Sequence, residues 1–221
     1  MTELSRHRGC TCTSPFRRRR SRHGASGRPG RDDRSGPGEL SAPAEAAVRG
    51  YLARRPEATV VVLGEGPGTG FRRLDNGRLT WLSVLPPGDA AARRMLLPDG
   101  PRRRTVGRPG TGAGWPALVG TVERGVVVAV PGAPAGLPAG AVRDLLAVCA
   151  ARFPGGALVL DALPWRAVAA VFLTVRHHRG VAAVHARPLP PRRPSGPARP
   201  GRRWLPWTAV CEVHFAAAQA A

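Results

Sequence analysis

Three runs of apolar residues interrupt an otherwise polar chain: 59–63 (Thr-Val-Val-Val-Leu), 125–130 (Gly-Val-Val-Val-Ala-Val) and 157–161 (Ala-Leu-Val-Leu-Asp). Each is short and mostly continuous rather than alternating, the pattern of a strand buried on both faces of a sheet. Segments with helical spacing lie between them. Residues 42–54 open on Ser41 and Pro43 and carry Val48, Tyr51 and Leu52 on one face. Residues 90–97 have helical composition, and residues 137–153 place Val142, Leu145, Leu146, Cys149 and Phe153 at core spacing. Pro56, Pro98 and Pro154-Gly-Gly156 mark the ends of these helices. Residues 71–75 predict a helical turn, and residues 78–84, after the Asn76-Gly77 turn, a strand. Further along, the pattern predicts a short edge strand at 102–106, a helix at 165–175, a strand at 181–186 and a final edge strand at 209–215. Alternation of strand and helix from 46 to 161 predicts an α/β fold with a doubly wound, mostly parallel and incomplete sheet.

The first strand empties into Gly64-Glu-Gly-Pro-Gly-Thr-Gly70. Glycine lets a backbone turn sharply and approach a ligand closely, so a strand that runs into such a loop is a nucleotide-type signature. The dinucleotide spacing is not met, because Thr69 stands where a third glycine is needed.

Composition narrows the chemistry. The 221-residue chain has a formal charge of +20, and all 34 of its basic residues are arginine. Without lysine there is no lysine phosphate loop and no Schiff-base chemistry. Together with 28 Gly and 24 Pro, the arginine excess reads as a coding bias, although it also fits a polyanion partner. Residues 1–43 are arginine-, serine- and glycine-rich without apolar periodicity and are expected to be disordered; 44–185 form the core, 186–203 a Pro/Arg linker and 204–221 a final strand or tail. No apolar run approaches the roughly 20 residues of a membrane span, so a cytoplasmic protein is expected. Cys10, Cys12, Cys149 and Cys211 lack both a disulfide and a zinc pattern, and no metal site is predicted.

The quoted stretches also carry a resemblance. Residues 49–66, 71–84, 93–104, 125–129 and 137–164 resemble the leucine carboxyl methyltransferase family, in its polyketide-synthesis O-methyltransferase branch, in the family's order and over about half the chain. The resemblance implies a Rossmann-like class I methyltransferase using S-adenosylmethionine, with Gly64, Glu65 and Gly66 at the cofactor turn and Thr69 and Arg73 after it. It also shows departures. The acid that ends the family's second strand and bonds the ribose hydroxyls is absent from Val84-Leu85-Pro86, and the nearest carboxylate, Asp89, lies beyond a Pro-Pro-Gly turn. Residues 107–115, where the family has an acid near the adenine, contain none, and Val130-Pro-Gly-Ala-Pro-Ala-Gly136 replaces a further family segment.

The expected function is therefore S-adenosylmethionine-dependent O-methylation of a small polyketide-type acceptor, impaired to the extent that these contacts matter. No catalytic base is assigned. The alternatives are a methyltransferase-like protein or decayed gene product that lost the cofactor, and an arginine-rich nucleic-acid binder acting through its basic amino-terminal segment. Other candidates have structural counterparts. Asp161 is either a functional strand-end acid or a helix cap; His177 and His178 are a proton-shuttling pair or a basic turn; Trp204 and Trp207 stack on bases or anchor a tail. His185 and His214 carry no partner signal.

Overall fold

A computed structural model describes residues 38–66, 68–108, 114–132, 139–175, 178, 180–189 and 208–217. Its centre is a seven-stranded sheet in the order β3-β2-β1-β4-β5-β7-β6. The strands are β1 (Thr59–Leu63), β2 (Thr80–Leu85), β3 (Arg103–Gly107), β4 (Val126–Val130), β5 (Ala157–Pro164), β6 (Val181–Leu189) and β7 (Thr208–Phe215). All neighbours are parallel except β7, which runs antiparallel to both β5 and β6. The sheet is thus mixed at one end and complete, where the sequence predicts an incomplete one.

All five residues of β1 are buried, as are all five of β4. Val60 and Val62 join one core, while Val61 and Leu63 join the other. Pleating sends successive side chains to opposite faces, so a continuous apolar run is the composition a doubly covered strand needs. Helix α1 (Ala42–Arg54) covers the first face with Val48, Tyr51 and Leu52. Helices α4 (Ala139–Arg152) and α5 (Trp165–Val175) cover the second, through Leu146, Cys149, Val168 and Val171 among others.

The order of strands fixes where a ligand can sit. From β1 the chain moves outward through β2 to β3, then returns to the other side of β1 with β4. Helices following β1 and β4 therefore leave on opposite faces, and a crevice opens at the carboxyl ends of these two strands. The glycine loop after β1 lies at that crevice. It leads into the short α2 (Gly70–Leu74), and β2 leads into α3 (Pro87–Leu96).

Four local expectations are corrected. Pro86 and Pro87 do not form a turn before a later helix: Pro86 is the N-cap of α3, Pro87 its first residue, and Asp89 stands in its first turn, because a proline lacks the N–H that is unsatisfied there anyway. The strand expected at 209–215 is not an edge; β7 is inserted between β5 and β6, and β6 is the edge. Strand β6 runs on to Leu189, into the stretch assigned to the linker, since an edge strand tolerates Pro188. Finally, residues 38–43, within the segment expected to be disordered, are packed, with Leu40 and Ser41 buried.

Candidate functional site

Gly64 makes the turn out of β1 with φ +80°, a left-handed conformation that costs glycine nothing. Its N–H donates to the carbonyl of Val84 at 2.9 Å, so the loop starts tied to the end of β2. That tie brings Glu65 over β2, and its carboxylate is buried. Oε2 accepts from Ser83 Oγ at 2.5 Å and from the Trp81 indole Nε1 at 3.0 Å, and pairs with Arg93 Nη2 at 2.8 Å. The Arg93 guanidinium also donates through Nη1 to the carbonyl of Gly66. Glu65 and Arg93 side chains are each 4% exposed. An ion pair this deep is tolerated only when hydrogen bonds satisfy both partners, and here Ser83, Trp81 and Gly66 supply them.

One atom stands outside this network. Glu65 Oε1 is buried and has no hydrogen-bond partner among the described residues. A Cβ on Gly70 would lie 3.2 Å from it and 3.3 Å from the Trp81 ring, which explains a glycine at the start of α2. Glu65 and Gly70 line a cavity with Trp81, Arg73, Gly38 and Leu40, and its volume is about 10 Å³. That is room for about one water molecule.

Arg73, at the cavity wall, reaches across to α1. Its Nε pairs with Glu45 Oε1 of α1 at 2.6 Å, while Nη1 donates to Thr69 Oγ1 at 2.8 Å and approaches Glu39 Oε1 at 3.8 Å. Thr69 itself is exposed at the N-cap of α2. Gly66 donates its N–H to the carbonyl of Gly38 at 2.9 Å. Of the sequence-predicted residues, the structure therefore brings Gly64, Glu65 and Gly66 together at the crevice and links Thr69 and Arg73 to the amino-terminal helix. Glu65 is thus a buried acid rather than a solvated loop acid. The residues that sequence reasoning missed are Arg93, Trp81, Ser83 and Gly38. Ala90 and Arg93, one helical turn apart, share the buried side of α3, and this i, i+3 spacing is the signal that could have found Arg93.

The remaining candidates fall elsewhere. Asp161 is the cap partner rather than a free strand-end acid: its Oδ2 and Oδ1 accept from the N–H and Oγ of Ser41, both at 2.7 Å. His178 Nδ1 accepts from the Gly180 N–H in a turn, and His177 lies outside the described residues. His214 Nε2 is 2.7 Å from Glu212 Oε1 with the His185 ring 5.9 Å from its own, a partner the sequence did not signal. This group sits where β7 meets Ala157, at the opposite end of the sheet from the loop. Burial pushes the thiols of Cys149 and Cys211 up to about 12, so neither is a nucleophile at neutral pH. Among the described residues no group of His, Cys, Asp or Glu could hold a metal ion, and no helix is long and apolar enough to cross a membrane. Cys10, Cys12, Trp204 and Trp207 lie outside the described residues.

No protein-family model and no curated protein matches the sequence. Solved structures do match the fold. A precorrin 8w decarboxylase of Methanobacterium thermoautotrophicum is 15% identical, with a TM-score of 0.51 over 81% of this chain and 92% of its own. The S-adenosylmethionine-dependent methyltransferase SibL is 14% identical, with a TM-score of 0.51 over 79% of this chain and 55% of its own. The Legionella pneumophila protein LPL1258 is 9% identical, with a TM-score of 0.50 over 77% of this chain and 82% of its own. The fold is the Rossmann-like fold found in S-adenosylmethionine-dependent class I methyltransferases.

Proposed function

We propose that this chain is an S-adenosylmethionine-dependent O-methyltransferase acting on a small, polyketide-type acceptor, as its resemblance to the leucine carboxyl methyltransferase family implies. The observation that carries this reading is the glycine loop at the switch point of a methyltransferase-type sheet, with a buried carboxylate oxygen beside it that has no partner among the described residues. The residues present fit the amino-acid end of the cofactor. The loop allows close backbone approach, and Glu65 Oε1 is an acceptor suited to a cationic amine. When bound, the cofactor supplies an electrophilic methyl group on a sulfonium. The protein's own contribution is to hold the partners in line and exclude water, which needs no nucleophile or dedicated base. Gly64 and Gly66 would lie against the cofactor, Arg93 fixes the loop through Glu65 and the Gly66 carbonyl, and Thr69 and Arg73 brace the loop against α1.

A specific observation favours a second reading, a methyltransferase-like protein that does not bind the cofactor. Strand β2 ends in Leu85, where a ribose-binding acid would stand, and the cavity beside the loop is about 10 Å³. Calorimetry and thermal melting with S-adenosylmethionine and S-adenosylhomocysteine separate the two. A ligand that binds the native state at a hundredfold its Kd stabilises it by about 2.7 kcal/mol. The enzyme reading predicts such a shift; no heat and no stabilisation at millimolar ligand would leave the second reading standing.

A further inference from the structure

We infer that residues 204–207 (Trp-Leu-Pro-Trp), which lie outside the described residues, dock on the exposed apolar face of helix α5. Neither that face nor the point at which the chain re-enters the sheet depends on what the glycine-loop crevice binds.

Helix α5 buries Val168, Val171 and Val175 and turns Trp165, Phe172 and Leu173 outward, 59%, 39% and 62% exposed. Trp165, Ala169, Phe172 and Leu173 follow the i, i+4, i+7, i+8 spacing of a single stripe. Together with Val168 they line a shallow cavity of about 440 Å³ whose lining includes no charged or polar residue. Surface apolar side chains normally scatter singly, whereas a contiguous stripe of large ones marks a docking surface. A lining of this kind calls for an apolar occupant.

The sheet register says where one is tethered. The chain leaves β6 at Leu189 and returns in β7 at Thr208, and these two residues pair with each other. Thr208 also pairs with Pro164, the residue before Trp165. Trp207 is therefore held one residue from the start of the exposed stripe. Within residues 190–207 the bulky apolar side chains are Trp204, Leu205 and Trp207, all at this returning end; the rest are Pro, Arg, Gly, Ser and Ala. Extended chain from Trp204 to Thr208 reaches about 13 Å, and α5 rises about 12 Å from Trp165 to Leu173, so the segment matches the stripe in length. Each tryptophan brings about 150–250 Å² of surface to bury. A second copy of this chain is the competing occupant, but it would bring together two bodies that each carry a formal charge of +20. The tethered segment meets α5 at an effective concentration in the millimolar range, with no second body to repel.

Limited trypsin digestion of the full chain reads the docking without any variant. The bonds after Arg192 and after Arg203 belong to the same segment, but only the second abuts Trp204. Docking predicts cleavage after Arg203 about tenfold slower than after Arg192, because a protease needs the open form; equal rates overturn it. The double variant Phe172→Ser, Leu173→Ser removes the stripe at exposed positions outside both cores and should bring the two rates together. A difference that persists in the folded variant overturns the assignment to α5. Trp204→Ser with Trp207→Ser gives the reciprocal reading by hydroxyl-radical oxidation and peptide mass. Oxidation of Trp165 should rise several-fold while that of the buried Trp115 stays unchanged, and unchanged Trp165 oxidation contradicts docking. Protection of Trp165 that is lost on dilution, together with a dimer in sedimentation, assigns the face to a second copy and overturns the proposal.

Discussion

Glu65 and Arg93 show how much one buried pair decides at this site. Each is almost fully removed from solvent, and each would be an uncompensated charge without the other. Breaking a buried pair by removing one partner costs about 3–5 kcal/mol, so Arg93→Ala lowers unfolding stability by that amount in urea denaturation. A loss below about 1 kcal/mol, the range of surface pairs, would contradict the pairing. The glycine loop was legible in the sequence because its signal is local: a strand run followed by residues that permit a tight turn. Arg93 was not, since it meets Glu65 across 28 positions and only the strand order brings α3 beneath the loop. The same holds for the Glu65 environment, which depends on Trp81 and Ser83 lying on the facing side of β2. Tyr51 gives a second residue-scale test. Its hydroxyl donates to the Gly155 carbonyl and accepts from the Val126 N–H, and burial raises its pKa despite that bond. The folded state thus favours the neutral phenol. Its stabilising contribution is complete below the ordinary tyrosine value of about 10 and is lost as pH rises through the raised folded value. Stability measured from pH 8 upward should fall above about pH 10, and the fall should be smaller in Tyr51→Phe. An equal fall in the variant would show that other groups cause it.

At the scale of elements, helix α1 is the piece that joins the site to the rest of the fold. Ser41 caps it and at the same time satisfies Asp161, while Glu45 in its first turn receives Arg73. Ser41→Ala removes both the cap and one hydrogen bond to the buried Asp161 carboxylate, so stability should drop by about 1–3 kcal/mol in thermal or urea unfolding. A drop of a few tenths would mean that the cap is held by other contacts. The helix itself was readable from Ser41, Pro43 and the spacing of Val48, Tyr51 and Leu52. Its tie to Asp161 joins residues 120 positions apart and leaves no local trace. Strand β7 was misplaced for the same kind of reason. Its alternation identifies a strand, but a pattern cannot distinguish an edge from a position between β5 and β6, where the buried Cys211 and Val213 meet the second core. The Pro86-Pro87 pair was misread because proline ends a helix when it follows one and starts a helix when it precedes one.

For the whole molecule, the parallel α/β architecture follows from three continuous apolar runs separated by helices, and the strand order places the glycine loop at the crevice between β1 and β4. The large positive charge plays a smaller part than its size suggests. Several arginines of the folded part are committed to internal pairs, including Arg73 with Glu45, Arg78 with Glu57 and Arg102 with Asp75. What the fold does not supply is an acid at the end of β2. The proposed function therefore turns on whether the loop alone still holds the cofactor. Titration calorimetry of the full chain with S-adenosylhomocysteine tests this most directly. The account predicts saturable one-site binding, and the absence of heat at millimolar ligand would contradict it.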